Sequence, residues 1–189
     1  MTSLVSKLRF TAGVIAVALA LSAAAEMPAI PARGSVQAAF TPWDDVESLV
    51  VGSIRRAKNQ ILVQAYSFTS RNIANALIAA RRRGVDVRVI ADSEQSQPAE
   101  STRVTELAAA GVVVLLDSGF QSAHSKVMLI DAAEEHPAVL TGSYNWTYAA
   151  QHRNAENLLI LRDHPELARA YFDNWQRHAA AAKPYRPAP

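Results

Sequence analysis

The stretch Gln60–Asp92, QILVQAYSFTSRNIANALIAARRRGVDVRVIAD, decides the fold. Gln60–Tyr66 is a short apolar run and reads as a buried strand. Arg71–Arg83 reads as a helix closed by Gly84, since glycine tolerates the left-handed backbone that ends a helix. Val85–Asp92 reads as the next strand. Working outward, Ser35–Phe40 is a strand, and a helix opens at Thr41-Pro42-Trp43-Asp44 and runs to about Lys58. Its Val46, Leu49, Val50 and Ile54 fall at helical spacing. Downstream come a helix over Ala99–Ala110, ended by Gly111, and a strand over Val112–Leu116. Strands alternating with helices predict an α/β layered sandwich, with a mixed, largely parallel central sheet flanked by helices.

The alternation then breaks. Lys126–Asp131 and Ala138–Thr141 are two apolar runs joined by a short polar segment, which predicts a hairpin. A short helix is expected from about Asn145, a strand over Glu156–Arg162 and a last helix over Pro165–Ala182. One catalytic domain is therefore expected over 35–182, after a Pro-rich leader at 26–34 and before a flexible tail at 183–189.

Residues 1–25 read as a secretory signal peptide. Lys7 and Arg9 precede a twelve-residue apolar run, Phe10–Leu21, shorter than the roughly 20 residues that span a bilayer. Ala23-Ala24-Ala25 supplies the small residues of a cleavage site, so cleavage near Ala25 and a periplasmic or secreted product are expected. Cleavage would remove two of 19 basic residues and none of the 17 acidic ones, leaving no net charge. The high isoelectric point thus says little about partners, and any polyanion site must be local. The sequence has no cysteine, which excludes disulfide frameworks, thiol nucleophiles and thiolate zinc sites.

The chemistry lies in Ser122–Asn157. His124 and Lys126 stand two apart at the mouth of a strand, so both project to one face. If Asp131 pairs near Pro137, Lys126 pairs near Gly142, and Ser143 and Asn145 fall at the same end of the hairpin. Glu156 opens the next strand at that edge. Ammonium, hydroxyl, carboxamide and helix terminus are all donors suited to phosphate oxygens. An imidazole beside phosphorus is a nucleophile or a general acid. A carboxylate on its other nitrogen would set its tautomer. His-x-Lys offers a metal one ligand and a repelling cation, so neither metal nor other cofactor is expected.

HSKVMLID, then GSYN, then AEN resembles the H-x-K-x4-D … G-S-x-N signature of the phospholipase D superfamily, and most of all its small Nuc-type endonucleases. YSFTS and RRGVDV upstream resemble the same family, so the likeness runs from about Val36 to Trp175. The resemblance implies that His124 forms a phosphohistidine, that Lys126, Ser143 and Asn145 bind phosphate, and that Glu156 orients the histidine. It makes Asp131 and Gly142 structural. One departure stands out: ten residues separate Asp131 from Gly142 where about six are usual, which predicts a longer hairpin loop beside an intact site.

The family chemistry uses two histidines. Of the five here, His136, His152, His164 and His178 lack a lysine two residues on. The resemblance therefore implies a homodimer with a shared site. The function expected is a phosphodiesterase cutting DNA or RNA without strong sequence preference. Phospholipase D action on phospholipid head groups is the alternative, and a non-catalytic phosphate-binding module a third reading. Arg81-Arg82-Arg83 could line a nucleic-acid groove or simply complement a helix end. Tyr66 and Phe68 follow a strand's carboxyl end, where they would wall a cleft or pack in the core. Trp43, Trp146 and Trp175 are expected in the core or an interface.

Overall fold

The computed structural model describes residues 28–97 and 102–186. The expected signal peptide, the first residues of the leader, the start of the Ala99–Ala110 helix and the last three residues of the tail lie outside the described residues. In chain order the elements are β1 (Ser35–Phe40), α1 (Val46–Arg56), β2 (Gln60–Ala65), α2 (Arg71–Arg82), β3 (Asp86–Asp92), α3 (Val104–Ala109) and β4 (Val113–Asp117). They continue with β5 (Lys126–Ile130), β6 (Ala138–Gly142), α4 (Tyr148–His152), β7 (Asn157–Arg162), α5 (Pro165–Ala181) and β8 (Lys183–Pro184).

Local chemistry sets the helix ends. Asp45 caps α1 by accepting from the Ser48 amide at 3.0 Å, and the Ser70 hydroxyl caps α2 by accepting from the Ile73 amide at 3.1 Å. Gly84 follows α2 at φ 94°, a backbone that side-chain-bearing residues rarely adopt. α5 opens with Pro165, whose missing N–H costs nothing in the first turn.

The strands form one sheet in the order β1-β7-β6-β5-β2-β3-β4-β8. The expected α/β sandwich with a mixed sheet flanked by helices is present. Its parallel share is smaller than expected: β2–β3 and β3–β4 are parallel, and the other pairs are antiparallel. The reason is strand order, which residue periodicity does not encode. β1 crosses to the far edge and pairs with β7, and β5 enters antiparallel beside β2. The tail differs too. Lys183–Pro184 pairs with β4, the Tyr185 amide donates to the Val114 carbonyl at 2.9 Å, and the Tyr185 and Thr105 hydroxyls meet at 2.7 Å. An aromatic with partners for both its backbone and its hydroxyl holds a segment whose prolines suggested fraying.

Two apolar layers flank the sheet. On one face Val50 and Ile54 of α1, Ile73 and Leu77 of α2 and Leu107 of α3 pack on Ile61, Val63, Val89 and Met128. On the other, Ala168 and Trp175 of α5 cover Leu62, Ile90, Leu129 and Val139. Trp146 and Trp175 are buried and donate their ring N–H to the carbonyls of Gln64 (3.0 Å) and Val63 (3.2 Å). The carboxyl ends of β2, β3, β4 and β6 and the amino ends of β5 and β7 thus gather at one edge of the sheet.

Candidate active site

The hairpin register sets the site. Val127 pairs with Thr141 and Ile130 with Ala138, so Lys126 stands opposite Gly142. Next in the sheet, Gly142 pairs with Leu158 and Lys126 with Ala65. His124, Lys126, Ser143, Asn145 and Glu156 therefore come together at one edge. Gly142 is required there, because a Cβ at that position would lie 2.3 Å from the Asn157 carbonyl oxygen.

His124 is exposed and its ring lies against Tyr66, with centroids 4.2 Å apart at 50°. Lys126 is buried. Its ammonium sits 4.8 Å over the Tyr66 ring and donates to His124 Nδ1 at 2.8 Å and to the His124 carbonyl at 2.7 Å. Burial pushes the Lys126 pKa down, and the nearby Glu156 carboxylate opposes that shift. The cation is held in a place that disfavours charge, and among the described residues no carboxylate is bonded to it.

The Ser143 hydroxyl accepts from the Asn157 amide at 3.0 Å and from Asn157 Nδ2 at 3.2 Å. Both its lone pairs are filled, so its own proton is left to donate outward. Asn145 is half-buried, and its Oδ1 is buried without a hydrogen-bond partner. Tyr144 between them is buried. Burial first, then the Glu47, Asp45 and Glu156 carboxylates, raise its phenol far above the usual range, so it stays neutral.

One expectation needs correction. The helix after the hairpin begins at Tyr148, not Asn145. Thr147 caps it, accepting from the Ala150 amide at 3.1 Å, while Trp146 is drawn into the core. Asn145 therefore reaches the site from a loop. Glu156 stands at the same edge, near enough to act on the Lys126 ammonium. Its carboxylate accepts from Asn154 Nδ2 at 2.9 Å, and the neighbour of His124 Nδ1 is Lys126. With Nδ1 accepting from an ammonium, the neutral ring carries its proton on Nε2.

Asp131 lies at the other end of β5, about 17 Å away at strand rise. Its carboxylate accepts from the backbone amides of Lys58 (2.9 Å), Asn59 (2.8 Å) and Gln60 (2.8 Å), pinning the start of β2. The long hairpin loop is at this end too, away from His124. So is the Arg81–Arg83 run, where Arg81 donates to the Gly111 carbonyl at 2.9 Å and Arg83 to the Ile54 carbonyl at 3.2 Å.

Two residues that sequence reasoning missed fix the loop carrying His124. Buried Asp92 accepts from the Ala123 amide at 2.8 Å, one residue before the histidine. Buried Asp117 accepts from the Gly119 amide at 3.0 Å and meets His178 Nδ1 of α5 at 2.8 Å. A carboxylate ending an apolar strand was the available signal for both.

An edge of this kind, which gathers an ammonium, a hydroxyl and a carboxamide with an exposed imidazole, is suited to a phosphodiester, and the likenesses agree. The family model for a cardiolipin synthase, PLD-like domain matches residues 50–178. A phospholipase D of Rickettsia felis is 38% identical over 149 residues, covering 79% of this chain and 72% of that protein. A mitochondrial cardiolipin hydrolase of Xenopus tropicalis is 32% identical over 134 residues, covering 71% and 61%. The crystal structure of Nuc, a phospholipase D family member from Salmonella typhimurium, matches with a TM-score of 0.75 at 34% identity. That match covers 81% of this chain and 99% of Nuc. Fold, site and relatives together define a phosphoric diester hydrolase. The chain belongs to the phospholipase D superfamily and is one of its Nuc-type members.

Proposed function

We propose that this protein is an exported endonuclease that hydrolyses DNA, RNA or both through a covalent phosphohistidine, without metal, as a homodimer. The observation that carries the chemistry is the strand register that brings Lys126, Ser143 and Asn145 to the same edge as an exposed His124. A bound phosphate would draw the Lys126 ammonium toward its oxygens. Once Nδ1 is released, the ring proton passes through solvent from Nε2 to Nδ1, where it is donated to Glu156, and Nε2 is left with a lone pair for attack. The P–N bond forms as the bond to the leaving oxygen breaks, and the partner's His124, protonated, donates to that oxygen. Water then attacks phosphorus, gives its proton to the partner's His124 and releases the phosphate monoester with His124 restored.

A dimer has a surface to form on. Val36 and Phe40 of β1 share one sheet face with Leu159 of β7, and Trp43 follows at the site's edge. Phe40 is 50% exposed and Trp43 82%, on the part of that face beyond the residues α5 covers. A second copy is the occupant that fits, because the site holds one imidazole where the chemistry needs two. Trp43→Asp should turn a particle of twice the chain mass in light scattering into one of single mass.

The nuclease reading is supported by the match to Nuc over nearly all of its length. Phospholipid hydrolysis is the second reading, favoured by the names of the Rickettsia and Xenopus relatives. Export rests on the expected cleavage near Ala25, which N-terminal mass analysis of secreted material tests. For substrate, purified protein should be incubated with plasmid, RNA and phosphatidylcholine or cardiolipin vesicles, with and without EDTA. Nucleic-acid cleavage that survives EDTA is expected. Hydrolysis of lipid alone, or loss of turnover on chelation with recovery on added metal, would overturn the reading.

A further inference from the structure

We propose that the cleft between the start of α2 and α4 is a nucleotide subsite beside the catalytic edge, with Tyr148 stacking on a base and Arg71 and Arg153 meeting a flanking phosphate. The proposal rests on the nuclease reading. The cleft has a volume of about 300 Å³ and is lined by Thr69, Arg71, Arg103, Tyr148 and His152 among others.

Its floor is continuous with the active site. The amides of Thr69 and Ser70 both donate to the Trp146 carbonyl at 2.9 Å, and Phe68 bridges to Trp146. These bonds sew the loop after β2 to the loop after β6. The first loop carries Tyr66, whose ring lies against His124; the second carries Ser143 and Asn145. Thr69 is three residues from Tyr66, and Tyr148 is three from Asn145. Neither separation can exceed about 11 Å. A strand whose scissile phosphate sits at His124 would therefore bring its next nucleotides over this cleft.

The lining, with Arg153 next to it beside the Tyr148 ring, has the chemistry of single-strand recognition. Tyr148 is 57% exposed, so its ring does not serve the core. It is nevertheless held in place: His152 packs against it with centroids 4.2 Å apart at 38°, and the Arg153 guanidinium lies 5.9 Å from its centroid. A pre-positioned aromatic loses little freedom when a base stacks on it, and such stacking tolerates any base. Arg71 and Arg153 are exposed, and neither has a carboxylate within ion-pair distance among the described residues. Arg103 differs: it pairs with Glu106 at 3.4 Å and donates to the Thr69 carbonyl, which suits it to shaping the wall. The acid of the cleft, Glu47, has both oxygens taken, one by the Ser70 hydroxyl and one by Asn72 Nδ2 at 2.7 Å. Its acceptors are thus turned to the protein, while the two arginines stay free for a phosphate.

The test compares two substrates of the full protein. A fluorescent single-stranded oligonucleotide would span edge and cleft; bis(p-nitrophenyl) phosphate, a small diester, would reach the edge alone. Tyr148→Ala should raise KM for the oligonucleotide about 10-fold, with kcat and turnover of the small diester unchanged. Tyr148→Phe should restore the wild-type KM. Replacing Arg71 and Arg153 with glutamine should flatten the log–log salt slope of oligonucleotide binding by about 0.7 for each phosphate that is no longer neutralised. An oligonucleotide KM unmoved by Tyr148→Ala, or an equal rise for both substrates, overturns the subsite while leaving the nuclease reading intact. Wild-type protein that hydrolyses the small diester but neither cleaves nor is inhibited by the oligonucleotide overturns both.

Discussion

The two ends of β5 carry the same motif and treat polar groups in opposite ways. At the hairpin end the Asp131 carboxylate accepts three backbone amides and stands at φ 51°. At the other end Lys126 is buried with one imidazole and one carbonyl for partners, Ser143 keeps its proton free, and Asn145 Oδ1 has no partner among the described residues. A saturated buried group stabilises a fold, whereas unsaturated groups cost stability unless something arrives to satisfy them. The comparison teaches which half of H-x-K-x4-D to assign to architecture and which to chemistry.

The largest effect should come from His124→Asn. It removes the proposed nucleophile, in the proposed dimer from both copies, and kcat should fall by about 10⁴-fold or more, as when a nucleophile that works as part of a unit is deleted. Because His124 is exposed, the melting temperature should hardly move. A stability loss comparable to that of a core substitution would break the contrast between the ends.

Lys126→Met should lower kcat by about 10²–10³-fold, the scale for losing one donor to a developing charge. Its pH dependence sharpens the point. Burial holds the folded pKa below the ordinary lysine value of 10.5, so between the two values the unfolded chain binds the extra proton. Wild-type stability relative to Lys126→Met should therefore rise as pH increases through that window, and be lowest below it. Paired melts from pH 7 to pH 11 measure this, and a wild-type advantage that shrinks with pH contradicts it.

Asp131→Ala should do the reverse of the site variants. Leaving three amides unpaired should cost about 3 kcal/mol, or roughly 6–12 °C in melting temperature for a chain of this size. kcat should stay within about threefold. The smallest effect is expected from deleting Glu134 and Glu135, which lie in the long hairpin loop at the Asp131 end. kcat/KM should change less than about twofold, since the loop is a strand's length from His124.

Much of this was legible in the sequence because it rests on counting along strands. The Lys126–Gly142 pairing followed from the distance to the turn, and the two-residue spacings placed the site on one edge. What escaped depends on contacts distant in sequence. The Nδ1 partner of His124 depends on which long side chain reaches it, and Lys126, two residues on at the start of β5, does so. The start of α4 moved because the Trp146 ring N–H found the Gln64 carbonyl, 82 residues away, and left Thr147 to cap. Asp92 reaches Ala123 across 31 residues, a distance no local pattern spans.

The step that sets the proposed chemistry apart is the covalent bond between His124 and phosphorus. The direct measurement is an acid-sparing quench of labelled substrate during turnover, followed by digestion and mass analysis of the peptide around His124. An acid-labile, base-stable phosphoryl adduct on that histidine is expected, absent from His124→Asn, with retention of configuration at a chiral phosphorus. Full turnover with no adduct and with inverted configuration would contradict it.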